Sequence, residues 1–143
     1  MKRGLLIIGL GLAFLILVTG LGTFITNYMP AMKTPQIQTS QAGPYTVTLS
    51  VNPNPPSTAQ PATFSVQIQQ SASHQPVSNA RVTLEGSQED MGLSTSTIEA
   101  KDQGNGKYVA RVPFSMSGSW QMQVAIAQSG QPTYNAVFMV TAQ

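Results

Sequence analysis

Seven methionines, a single histidine and no cysteine bound the chemistry open to this chain of 143 residues. Without cysteine there is neither a disulfide framework nor a thiolate metal site. Thioether sulfur is a soft donor that favours Cu(I), so the methionines carry what chemical suggestion there is. Their contexts divide them. Met1 is the start, and Met29 and Met32 in "YMPAM" follow an apolar run and read as interfacial anchors. Met122 shares a period-two face with Trp120 and Val124 in "SWQMQV" and is expected in a core. Met139, beside Val137 and Phe138, is expected to pack there too. Met91 in "EDMGLS" and Met116 in "FSMSGSW" fall in turns. These two are the candidate metal ligands or partner contacts, the competing reading being that they close one end of the core.

Enzymatic chemistry finds little to work with. A nucleophile–histidine–acid arrangement would have to use His74, which lies in the loop sequence "QSASHQP". The carboxylates are Glu85, Glu89, Asp90, Glu99 and Asp102; the adjacent Glu89 and Asp90 do not converge as an acid–base pair. No glycine-rich phosphate loop opens a helix, and no His/Asp cluster suits zinc or iron. The chain is therefore expected not to be an enzyme, with no catalytic residues. The formal charge of +2 comes from Lys2 and Arg3, since five basic residues balance five acidic ones from Met29 onward. No basic cluster is present to follow a phosphate backbone, so nucleic acid is not an expected partner.

The elements that must carry these residues begin with "GLLIIGLGLAFLILVTGLGTFITNY" (Gly4–Tyr28). From Gly4 to Ile25 it holds 22 residues without a charge, enough to cross a hydrocarbon core of roughly 30 Å as a helix. Lys2 and Arg3 place the amino end in the cytoplasm by the positive-inside rule. Residues 1–28 are thus expected to form a single-pass transmembrane anchor in the cell membrane, with the rest extracytoplasmic. A cleaved signal peptide is the competing reading, with a run longer than the usual apolar region and only the loose site "VTGLGT". Residues 29–44, with three prolines and no apolar period, read as a linker.

From residue 45 to 143 the pattern is that of short alternating runs. Strands are expected at Tyr45–Asn52, Ala62–Gln70, Ala80–Gly86, Leu93–Lys101, Gly106–Phe114, Ser119–Ala127 and Thr133–Thr141. Tyr45, Val47, Leu49 and Val51 share one face; so do Phe64, Val66 and Ile68, then Tyr108, Ala110, Val112 and Phe114. "NPNPPSTAQP" (Asn52–Pro61) reads as a rigid loop, and "KDQGNGK" as a tight hairpin with positive φ. About seven strands with turns every 8–12 residues point to an all-β, immunoglobulin-like β-sandwich preceded by one transmembrane helix. If the chain reverses at each loop, Met91, Met116 and the proline-rich loop share one end, and His74 lies at the other.

The segment Met91–Ile126 resembles the YtkA-like domain family. It carries Met91-Gly92 in a loop, Gly106-Lys107-Tyr108 opening a strand, and Phe114-Ser115-Met116-Ser117-Gly118-Ser119-Trp120 as a hairpin. The resemblance implies an extracytoplasmic immunoglobulin-like domain, often tethered by one amino-terminal helix. It extends to FixH-type membrane-anchored proteins associated with assembly of haem–copper oxidases. Copper-linked members often show Met-x-x-Met-Gly-His at the first loop; here Gln88-Glu89-Asp90-Met91-Gly92-Leu93 lacks the first methionine and the histidine. Only Met91 and Met116 carry over as possible copper ligands.

These readings lead to an accessory or binding module, an assembly factor or small subunit of a respiratory membrane complex. The expected partners are the lipid bilayer and a membrane protein complex of the haem–copper oxidase kind. Copper handling through the loop methionines is the alternative, and a purely structural cell-surface domain a third.

Overall fold

The computed structural model describes residues 34–143. The expected anchor, residues 1–28, lies outside them; among the described residues no helix is long and apolar enough to cross a membrane. The described chain is all-β: β1 Ile37–Ala42, β2 Tyr45–Asn52, β3 Ala62–Gln70, β4 Arg81–Gln88, β5 Leu93–Ser94, β6 Ile98–Glu99, β7 Lys101–Asp102, β8 Lys107–Val112, β9 Gly118–Ala127 and β10 Tyr134–Ala142. One 3-10 turn, Glu89–Met91, interrupts the series.

Two antiparallel sheets form a sandwich. One runs β1-β2-β3-β8-β7, the other β10-β9-β4-β5, with β6 also paired to β4. The alternation seen in the sequence decides which face turns inward. In β2, Tyr45, Val47, Leu49 and Val51 are buried while Thr46, Thr48 and Ser50 are not. Phe64, Val66 and Ile68 on β3 and Tyr108, Ala110 and Val112 on β8 continue that face. The opposing sheet supplies Val82, Leu84, Trp120, Met122, Val124, Ile126, Ala136, Phe138 and Val140, and all of these belong to one core. Tyr108 spans the layers with a polar tip. Its hydroxyl donates to the Val77 carbonyl at 2.9 Å and accepts from the Ala80 amide at 3.2 Å.

The structure departs from the sequence reading in three places. The stretch expected to be a linker, 29–44, contains the strand β1, paired along its length with β2 from Ile37↔Ser50 to Ala42↔Tyr45. "IQTSQA" is an edge strand in which only Ala42 is buried, so it shows no apolar alternation. The single strand expected over Leu93–Lys101 is three short pieces. β5 and β6 pair with β4 in one sheet, whereas β7 pairs with β8 in the other. The segment switches sheets, and Ala100, its amide bonded to the Val82 carbonyl at 2.8 Å, marks the crossing. Met139, expected to pack, is 46% exposed, as is Val137. Ala136, Phe138 and Val140 take the inward face of β10, opposite Val124, Met122 and Trp120.

Candidate functional site

One end of the sandwich gathers most of the residues that could do chemistry. The proline-rich loop, residues 53–61, accepts the carboxyl terminus there: the Gln143 amide donates to the Pro56 carbonyl at 2.8 Å, and the Thr58 amide to the Gln143 carbonyl at 2.9 Å. The chain also enters the domain at this end. The Val51 amide donates to the Gln36 carbonyl and the Asn54 side-chain amide to the Thr34 carbonyl, while Thr34 accepts from the Thr141 amide. The turn carrying Met91 follows β4, and the turn carrying Met116 leads into β9, where Gly118 pairs with Ala142 at the same end.

Met116 sits on a frame built from the core. Trp120 is fully buried, and its indole N–H donates to the Met116 carbonyl at 3.1 Å. Phe114 packs edge-on against Trp120 with ring centroids 5.4 Å apart, and against Phe64 at 6.0 Å. Gly118 has φ of +127°, and a Cβ placed there would lie 2.5 Å from the Gln88 side-chain nitrogen. The backbone angle favours glycine there, and the Gln88 side-chain amide rests against it. The turn is thus bonded from below and abutted from the side, yet the Met116 side chain is 42% exposed. Met91 closes its 3-10 turn just before Gly92, whose φ is +61°, and is 57% exposed. Met122, on the strand that leaves the same hairpin, is fully buried.

The two candidate ligands therefore share an end, as the loop-parity argument expected, and both are exposed. His74 is exposed in the loop after β3, at the opposite end, so it does not join them. Among the described residues no group of three or more His, Cys, Asp or Glu could hold a metal ion. A hollow of about 140 Å³ is lined by Ser87, Gln88, Asp90, Ser119, Gln121 and Met139. Gln88 Oε1 is buried beside it without a hydrogen-bond partner, and as a hard amide oxygen it is a poor ligand for Cu(I). Met91 and Met116 alone make an incomplete donor set for a resident copper ion.

The Met-Gly turn, the Gly-x-Tyr strand opening and the hairpin ending in Trp120 are three landmarks of the sandwich. Gly106, the second of these landmarks, has φ of +72°, and a Cβ there would lie 2.5 Å from the Ile68 carbonyl oxygen. The family model for YtkA-like domains matches residues 39–125, more than half of the chain. The chain belongs to the YtkA-like family. That match opens inside β1, in keeping with the strand's place in the domain. Among solved structures, a DUF4426 family protein from Pseudomonas aeruginosa PAO1 is similar over 73% of this chain and 94% of its own, at 15% identity and a TM-score of 0.53. At that identity the likeness concerns the fold. No curated protein matches the chain.

The sequence did not single out Gln88, whose side-chain amide rests against Gly118, or Thr34, whose hydroxyl accepts from the Thr141 amide. Both act through side-chain amide or hydroxyl contacts across strands far apart in sequence, and no local pattern announces such contacts.

Proposed function

We propose that this chain is a non-enzymatic accessory module. It is held at the membrane by residues 1–28 and presents an immunoglobulin-like YtkA-family sandwich on the extracytoplasmic side, where it serves a membrane complex as an assembly factor or small subunit. The observation that carries this reading is the pair of exposed thioethers, Met91 and Met116, the second on a turn bonded to the buried Trp120. A methionine held rigidly at the backbone but free at the sulfur is suited to contact, because the flexible, polarisable side chain adapts to a partner surface. The resemblance to FixH-type proteins favours a respiratory partner of the haem–copper oxidase kind. Purification of the full-length chain in mild detergent, with the companions identified by mass spectrometry, tests the reading. A stoichiometric membrane complex is expected; recovery only as a free monomer at native expression would refute it.

A second reading, Cu(I) handling, rests on the same thioethers. Because Met91 and Met116 alone are an incomplete donor set, copper would be held only with a further donor. Titration of residues 34–143 with Cu(I), alongside Met91→Ala and Met116→Ala, separates the two. Micromolar binding lost in both variants would favour copper; no methionine-dependent binding removes it.

A further inference from the structure

The chain changes sheets between β6 and β7, and the crossing leaves a break along the side of the sandwich. The Lys107 carbonyl accepts from the Gln103 amide at 2.7 Å, and the Lys107 amide donates to the Gly104 carbonyl at 3.0 Å. Lys107 therefore directs its backbone toward β7, and alternate residues of an antiparallel strand repeat that direction. Val109 and Arg111 do the same. Val109 finds its partner in Lys101, but Arg111 lies past the end of β7. The segment that would have continued the ladder has left: the Ala100 amide bonds to the Val82 carbonyl, and Ile98 and Glu99 pair with β4. Among the described residues no ladder joins β6 to β8, so Arg111 stands at an open edge. Pro113, two residues on, has no amide to offer, and the open stretch is short.

A hollow of about 380 Å³ lies beside this edge. Ile98, Val109 and Ala110 give it apolar surface, and Glu99, Lys101 and Arg111 bring charge. The charges do not balance. Glu99 is taken by Arg81, whose Nη2 lies 3.1 Å from its Oε2. Asp102 accepts from the Asn79 and Gly104 amides. Among the described residues neither Lys101 nor Arg111 has a carboxylate within ion-pair distance. An open strand edge with apolar surface between two such cations is complementary to an extended segment that alternates apolar and acidic residues. A second copy of the chain has the wrong charge, because β8 laid against β8 would set Arg111 opposite Arg111. We propose that the β8 edge at Arg111 is a strand-addition site for a short acidic segment of a partner protein. The segment's backbone pairs with Arg111 and its carboxylates meet Lys101 and Arg111. The site is independent of Met91, Met116 and the membrane anchor.

The test uses the full-length chain in neutral detergent and a fluorescein-labelled hexapeptide that alternates valine with aspartate, read by fluorescence anisotropy. Saturable binding is expected, weakened about fivefold by Lys101→Gln and about fivefold by Arg111→Gln. In a chain carrying both Lys101→Glu and Arg111→Glu, preference should pass to a valine–lysine hexapeptide. A misfolded domain does not produce that reversal, and emission from the buried Trp120 checks the fold. Strand addition bonds only alternate amides of the incoming segment. N-methylation of either the valine or the aspartate amides should therefore abolish binding, while methylation of the other set leaves it intact. Tolerance of both methylations would reduce the site to an ion pair and overturn strand addition. Equal binding of the valine–lysine peptide by the unaltered chain would overturn the acidic partner. A dimer of the chain dispersed by the acidic peptide would assign the edge to a second copy instead, and no binding at millimolar peptide would refute the site.

Discussion

Met116 and Met122 belong to the same hairpin, and the difference between them is solvation. Met122 packs fully buried opposite Phe138, and truncating it to alanine should cost about 2–5 kcal/mol, the range for a large core side chain. Met116→Ala and Met91→Ala remove exposed sulfur and should change stability by no more than about 0.5 kcal/mol. Urea unfolding of residues 34–143 checks this; a large loss at Met116 would show that it closes the core. Tyr108 is the other decisive residue. Burial raises its phenol pKa above the usual 10.0; a hydrogen bond from Ala80 opposes the rise, and Asp102 adds to it. The folded state then holds that proton more tightly than the unfolded state. Its contribution is fully present below the ordinary tyrosine pKa and is lost as pH rises through the higher folded value. Tyr108→Phe should cost about 1–3 kcal/mol at neutral pH by stranding the Val77 carbonyl and Ala80 amide. It should also flatten part of the stability decline above pH 10, read from unfolding curves across the alkaline range.

At the level of elements, β1 is the test of what an edge strand does. It covers β2, and its Gln38 side chain donates to the Met139 carbonyl on β10 at 2.7 Å, so one short strand ties the edges of the two sheets together. Removing residues 34–43 from the soluble domain should bare the β2 backbone and lower the melting temperature by roughly 10 °C or more, with concentration-dependent aggregation. An unchanged melting temperature would return the segment to the role of linker. β2 and β3 were legible to the residue, because strict alternation is a direct record of one buried face. β1 was not, since a strand that buries only Ala42 leaves no such record. Nor was the side chosen by β10: in "AVFMV" every position is apolar, and only pairing with β9 places Phe138 inward and Met139 outward. The segment after Leu93 misled for a third reason, because a strand that changes sheets keeps its sequence character while losing its partner.

Across the whole domain, a single core and a single tryptophan, fully buried, make a simple optical reporter. Trp120 emission should shift to the red in one cooperative step that coincides with the loss of β-sheet circular dichroism. With no cysteine in the chain, a reductant should leave that midpoint unchanged. Two transitions by the two probes would mean that the sheets unfold separately. The ends of the candidate site were legible from loop parity, since counting reversals is enough to place Met91 with Met116 and away from His74. What counting could not supply was the support beneath them, which depends on contacts between residues distant in sequence.

The hydrogen bond from Trp120 to the Met116 carbonyl joins the centre of the core to the outermost turn. Presentation of that sulfur is therefore a property of the native ensemble alone. An unfolded or nascent chain has the same methionine but not the same posture, so a partner that recognises the posture discriminates folded from unfolded copies. By linkage, whatever binds there holds the domain folded by RT ln(1 + [L]/Kd), and assembly itself becomes an inspection of the module's fold.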